Sequence, residues 1–261
     1  MKGGNLDEIR KSFSLQAESF DRSGYHLSSA DYLDYLVNMI MPQKTDRILE
    51  AAAGTCICGR ALAPFCNSVV CLDATQEMLS IGRRECEKRK ITNVAMVQGN
   101  AEELPFPDSS FDIVVTRLAF HHFADSERVF GETVRVLKGG GKLVLVDLVP
   151  QNNVLRREID GIERMRDPSH TQELTAEEIR ALYEKYSVKL TSQDRRIIEV
   201  DAEKWMELTR TPSSVRNEIC SLFSSDISGG PETGFHPYLK DGRIFFRHYW
   251  VLFLGIKEEN D

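Results

Sequence analysis

An α/β fold with a doubly wound, mostly parallel seven-stranded sheet and helices on both faces is the class this chain predicts. Three features predict it. Short apolar runs alternate with helical segments through the first two thirds of the chain. Those runs are continuous in apolar character rather than alternating, as in strands buried on both faces. A length of 261 residues suffices for one sizeable core.

The elements follow in order. Leu27 to Met41 reads as a helix, with Tyr32, Leu33, Tyr35, Leu36, Met39 and Ile40 on one face, Ser28 or Ser29 as cap and Pro42 as stop. Arg47 to Glu50 is a short strand, Ala51 to Thr55 a small-residue turn, and a helix runs on to Phe65. Ser68 to Asp73 is a strand, and Thr75 caps a helix to Lys90. Val94 to Gln98 and Phe111 to Thr116 are further strands. A helix from Ser126 to Leu137 stops at Gly139-Gly140-Gly141, and Lys142 to Leu148 is the fifth strand. Asn153 to Arg166 reads as a helix, and Thr175-Ala176-Glu177-Glu178 is a capping box opening another. Arg196 to Val200 is a candidate strand, and Ala202 to Phe223 is helical with a break near Thr211-Pro212. Asp241-Gly242 signals a turn before a last, antiparallel strand from Ile244 to Gly255.

Composition narrows the function. Apolar residues at 41% and charged residues at 28% describe a soluble globular chain. A net charge of −7 argues against a general phosphate-backbone binder, so no nucleic-acid partner is expected. No apolar run approaches the roughly 20 residues of a membrane span, and the first residues lack a signal-peptide core. The expected location is the cytoplasm. Cys56, Cys58, Cys66, Cys71, Cys86 and Cys220 include no C-x-x-C pair, so buried thiols are expected and a metal is not.

In a parallel sheet ligands bind beyond the C-terminal strand ends. Glu50 closes the first strand, and Ala51, Ala52, Ala53 and Gly54 let backbone approach a ligand. Gly54, Cys56 and Gly59 mimic the dinucleotide fingerprint G-x-G-x-x-G, but the glycine that admits pyrophosphate is replaced. Asp73 ends the second strand, about 20 residues on, where a carboxylate accepts bonds from ribose hydroxyls. Asn100 ends the third strand and can read an adenine edge or stabilise a turn. His121 and His122 follow the fourth.

Together these motifs resemble a class I S-adenosylmethionine-dependent methyltransferase, in the small-molecule branch that includes the ubiquinone/menaquinone C-methyltransferases (methyltransferase type 11-like). The resemblance covers about Asp46 to Pro150, and Arg166-Asp167-Pro168-Ser169-His170 resembles a segment of uncharacterised members. It implies S-adenosylmethionine as cofactor and S-adenosylhomocysteine as product. It implies cofactor contacts from Glu50, Ala51, Ala52, Gly54, Asp73, Ala74, Met78, Asn100, Ala101, Arg117 and Leu118. Phe20 and Tyr25, with Phe13, lie where the family's N-terminal segment covers the cofactor. Ala52 and Cys56 stand where the family has glycine; Ala52 costs little if its φ is negative, and Cys56 could crowd the methionine end.

The resemblance also implies one domain over 1–261: an N-terminal helical cap (1–45), a cofactor-binding core (46–150), a lid or substrate region inserted after strand five (151–190 and 201–242) and a last strand (243–257). The expected reaction is in-line methyl transfer to a small, apolar or aromatic acceptor, with His122 and then His121 as candidate bases and Arg166 and His170 as substrate contacts. Met165, Trp205, Met206, Leu208, Phe223 and Phe235 suit either an acceptor pocket or core. The alternative is a non-catalytic S-adenosylmethionine-binding protein that senses or scaffolds. A monomer or homodimer fits either reading.

Overall fold

The computed structural model describes residues 4–20 and 29–259. The chain opens with α1 (Gly4–Phe20) and α2 (Ala30–Ile40). It continues β1 (Arg47–Ala51), α3 (Ile57–Leu62), β2 (Ser68–Asp73), α4 (Gln76–Lys88), β3 (Val94–Gln98), β4 (Phe111–Arg117), α5 (Ser126–Val136) and β5 (Leu137–Leu148). It closes with α6 (Arg156–Arg166), α7 (Ala176–Lys185), β6 (Val188–Asp201), α8 (Ala202–Leu208), α9 (Ser213–Ile227), β7 (Tyr238–Lys240) and β8 (Arg243–Lys257).

The sheet order is β3-β2-β1-β4-β5-β8-β6, with short β7 also on β8. β1 to β5 pair in parallel, and β8 runs antiparallel between β5 and β6. The expected seven strands are therefore present with one short addition. That addition comes from the Asp241-Gly242 turn: both residues have positive φ (51° and 74°) and join Lys240 to its partner Arg243, the geometry of a two-residue hairpin.

Both faces of the central strands are buried. Ile48, Val69, Ile113, Val115 and Val144 pack with Leu36 and Ile40 of α2 and Leu62 of α3. Leu49, Leu72, Val114, Leu143 and Leu145 pack with Phe130 of α5 and Ile179 and Tyr183 of α7. The continuous apolar runs thus have their physical cause. α7, expected in the lid region, covers the sheet instead. A third cluster joins α6, α8 and α9 through Ile159, Ile162, Trp205, Met206, Phe223 and Phe235, against Phe246 of β8. β6 is longer than the Arg196 to Val200 expected, because edge-strand alternation with many charges hid its first half.

Cys56, Cys58, Cys66, Cys71 and Cys86 are buried free thiols. Among the described residues no cluster of His, Cys, Asp or Glu could hold a metal. No described helix is long and apolar enough to cross a membrane.

Candidate active site

The strand ends form a cleft with about 900 Å³ of empty space, its open mouth included. Its wall includes Glu50, Ala52, Gly54, Asp73, Ala74, Asn100, Ala101, Arg117 and Leu118, all expected from sequence, and Phe20 from α1. Ala51 and Met78 lie behind it: Ala51 packs in the sheet core, and Met78 packs with Ala17, Ile81, Phe13 and Phe20. Tyr25 lies outside the described residues. Asn5, Leu6 and Ile9 of α1 also line the cleft and were not anticipated, because nothing before Leu27 signalled a helix strongly.

The loop after β1 is held from within. Ala53 N–H donates to Leu72 O, Cys56 N–H to Ala53 O, Gly54 N–H to Asp73 Oδ2 (2.7 Å) and Gly59 N–H to Glu50 Oε2 (2.7 Å). These N–H groups are therefore not offered to a pyrophosphate, and the dinucleotide resemblance ends there. The turn requires the left-handed region at three positions: Ala52 (φ 54°), Gly54 (52°) and Cys56 (60°). The condition for a cheap Ala52 is thus not met. Cys56 Sγ, rather than projecting at a ligand, is buried against α4: a Cβ on Gly82 would lie 2.9 Å from it.

Charge in the cleft is mixed and underused. Burial pushes the Glu50 carboxyl up to about 7, against its bond from Gly59 and the charge of Arg117. Burial also raises Asp73, although Thr75 and Gly54 N–H groups oppose it. Asp73 Oδ1 accepts from Thr75 N–H at 2.8 Å and Oδ2 from Gly54 N–H, and a carboxylate has lone pairs beyond these two. The Arg117 guanidinium makes no hydrogen bond among the described residues, and its Nη1 is fully buried. Asn100 Oδ1 accepts from Glu102 N–H (3.0 Å), so the turn role is real and its amide NH₂ stays available. A Cβ on Gly54 would meet only the Phe20 ring, at 3.9 Å, so this face of the loop is open.

A second chamber of about 790 Å³ shares Phe13, Phe20, Leu118 and His122 with the first. Its other walls include His121, Leu148, Arg166, Val200, Lys204, Trp205, Leu208, His248 and Trp250. Trp205 and Leu208 thus do line a pocket, whereas Met206, Phe223 and Phe235 are core and Met165 packs against that core. The indole N–H groups of Trp205 and Trp250 are buried and have no hydrogen-bond partner among the described residues. Arg166 stacks over Trp205 (4.7 Å) and bonds Glu163 Oε2 through Nε and Nη2 (3.0 and 2.8 Å). His170 lines neither chamber. It is buried behind the wall, with Nε2 2.8 Å from Asp160 Oδ1.

The two adjacent histidines are differently held. His121 Nδ1 lies 2.5 Å from Asp147 Oδ1. Burial disfavours its charged form, but Asp147 outweighs burial and raises its pKa. Asp147 is fixed by N–H groups of Ala119, Phe120 and Leu148. His122 is pushed down to about 3 by burial and by His121, and so is neutral. Its Nδ1 lies 3.1 Å from Ser169 Oγ, which lies 2.6 Å from Asp167 Oδ1. Asp147, Asp167 and Ser169 were missed as partners because pairings between distant segments leave no local sequence signal.

The comparisons with known proteins agree with this geometry. A family model described as a methyltransferase domain matches residues 49–145. The chain is 30% identical to the uncharacterized methyltransferase YcgJ of Bacillus subtilis, over 79% of this chain and 82% of that one. It is 30% identical to a demethylmenaquinone methyltransferase of Listeria welshimeri over 56% of this chain and 64% of that one. The crystal structure of YcgJ superposes with a TM-score of 0.81 at 28% identity, covering 89% of this chain and all of that one. A Haemonchus contortus phosphoethanolamine N-methyltransferase 2 bound to S-adenosyl-L-methionine shares the fold alone (TM-score 0.62, 18% identity, 94% of this chain and 57% of that one). With its strand order, its loop after β1 and its relatives in agreement, the chain belongs to the class I methyltransferase family.

Proposed function

We propose that the protein transfers a methyl group from S-adenosylmethionine to a small, apolar or aromatic acceptor. The observation that carries this reading is the meeting of two chambers at Leu118, His122, Phe13 and Phe20. A donor in one and an acceptor in the other would face each other across that junction, which turns a bimolecular step into an effectively unimolecular one.

The first chamber fits the donor. S-adenosylmethionine carries a sulfonium and an α-ammonium, no phosphate, and one carboxylate. Asp73 has spare lone pairs for ribose hydroxyls, Asn100 an amide for the adenine, Arg117 an unpartnered guanidinium for the carboxylate, and Glu50 a carboxyl for the cationic end. Phe20, over Gly54, offers a ring face or edge to the sulfonium side. When bound, the sulfonium supplies an activated methyl group. The protein's part is to bind, orient and exclude water, since a charge that disappears during reaction is favoured by a dry site. In the second chamber Phe13, Phe20, Trp205 and Trp250 suit an aromatic acceptor, and Arg166 and His121, each paired with a buried carboxylate, line it too.

The test is incubation with S-adenosylmethionine and a panel of aromatic acceptors, read by mass spectrometry. Formation of S-adenosylhomocysteine together with an acceptor heavier by one methylene supports the reading. Tight donor binding with no turnover across the panel favours a sensing or scaffolding protein instead.

A further inference from the structure

We propose that the acceptor is an aromatic hydroxyl compound, that His122 Nε2 takes its proton, and that Ser169 and Asp167 are positioning residues that fix this tautomer. The proposal rests on the methyl-transfer reading and names the chemistry of its acceptor.

The argument is one of proton counting. Asp167 is an ionised acceptor, since every group that bonds it is a donor; burial works against its charge, but a charged His122, then Arg166 and the hydroxyls of Ser169 and Ser12, outweigh burial and hold it below the usual carboxylate range. It receives Ser12 Oγ at 2.8 Å, Gln16 Nε2 at 3.0 Å, Ser169 N–H at 3.0 Å and Ser169 Oγ at 2.6 Å. A carboxylate has no proton to give, so the one hydroxyl proton of Ser169 lies toward Asp167. Ser169 Oγ can then only accept from the ring, and the 3.1 Å contact assigns the His122 proton to Nδ1. Nε2 is left with a lone pair. It has no hydrogen-bond partner among the described residues and is not among the fully buried unpartnered atoms. The residue lines both chambers, and Nε2 is its one polar ring atom left for a ligand there.

A nitrogen that only accepts calls for an acceptor substrate with an X–H group. The surrounding charges disfavour a cationic one. His121 is paired with Asp147 and Arg166 with Glu163, and the lining carboxylates Asp167 and Asp201 are spent on internal donors, so an ammonium finds no free carboxylate. The aromatic walls select a ring. An aromatic hydroxyl satisfies all three conditions.

The step balances. The hydroxyl oxygen lone pair forms the O–CH₃ bond, the S–CH₃ electron pair stays on sulfur, and the O–H proton passes to His122 Nε2. Methylation makes the hydroxyl strongly acidic, so even a weakly basic imidazole can take its proton, and the Asp167 charge behind Ser169 supports the imidazolium. α1 contributes directly: Ser12 and Gln16 hold Asp167, and Phe13 packs edge-on against His122 at 4.9 Å.

Long-range proton–nitrogen NMR of nitrogen-15-histidine-labelled protein reads the tautomer without any turnover. The wild type should show His122 protonated at Nδ1 between pH 6 and 9 (about the range of ordinary assay buffers, where a neutral imidazole persists). Ser169→Ala should move the proton to Nε2 and lower kcat about 100-fold, the scale of proton-transfer catalysis, with little change in KM for S-adenosylmethionine. In the presence of S-adenosylhomocysteine, 1-naphthol should shift the Nε2 resonance and 1-methoxynaphthalene should not. Nε2 protonation in the wild type, an unchanged tautomer in Ser169→Ala, or equal shifts with both naphthalenes would overturn the proposal. Failure of S-adenosylhomocysteine to bind would instead strike the methyl-transfer reading, leaving the tautomer result to stand by itself.

Discussion

The backbone N–H of Gly54 donates to Asp73 Oδ2 at 2.7 Å, so the loop after β1 and the end of β2 are one unit. Asp73 anchors the loop, and in the proposed function it is also a ligand carboxylate. Asp73→Ala removes both. A hydrogen bond to a charged group is worth about 1.5–3 kcal/mol, so S-adenosylmethionine affinity should fall about 10- to 100-fold. Asp73→Asn keeps one oxygen for Gly54 and should lose less. Calorimetric titration of the two variants checks the order.

Glu50 should make donor binding pH-dependent. Its carboxyl, up to about 7 in the free protein, must ionise to hold a cation. Affinity should rise with pH below about 7, by up to roughly tenfold per pH unit, and level off above it. Glu50→Gln should bind weakly with no such slope. The same buried charge lowers stability: because the folded-state pKa is raised, stability declines as pH rises from the unfolded value of 4.5 through about 7. Glu50→Gln should therefore be more stable than wild type at pH 8, by up to about 3.4 kcal/mol.

The His121–Asp147 pair sets a different pH window. The raised His121 pKa contributes stability that is present below the imidazole's ordinary 6.5 and lost as pH rises through its folded value. The lowered Asp147 pKa contributes stability present above the ordinary 3.8 and lost as pH falls through its folded value. Asp147→Asn breaks a buried pair and should cost about 3–5 kcal/mol inside that window, measured by urea unfolding across pH.

Ala52 stores strain. An L-residue in the left-handed region costs roughly 1–2 kcal/mol that glycine avoids. Ala52→Gly should raise the melting temperature by about 2–4 °C, a scale set by a gain near 1 kcal/mol in a chain of this size. A drop would mean that the methyl group's packing outweighs the backbone term.

The parallel half of the sheet was legible because β1 to β5 are buried on both faces and punctuated by glycine and caps. Cys71 was legible as buried for the same reason, whereas Cys220, on α9, is only half-buried. β6 was half hidden because an edge strand with Lys189, Asp194, Arg195 and Arg196 carries no apolar run. The first cleft was read from strand ends, where position alone brings residues to its wall. The second chamber was only partly visible. Trp205 and Arg166 stood out, but which of the Met and Phe residues face a cavity and which face the core depends on how α6, α8 and α9 meet. Ser169 and Asp167 became informative only when folding set them beside His122, a neighbour 47 residues away in sequence.

The most direct test of the central claim is a calorimetric titration of the purified protein with S-adenosylhomocysteine, and with NAD in parallel. The account predicts stoichiometric binding of S-adenosylhomocysteine, weakened by Asp73→Ala, and none of NAD, whose pyrophosphate the loop cannot receive. Binding of NAD, or no binding of S-adenosylhomocysteine, would contradict it.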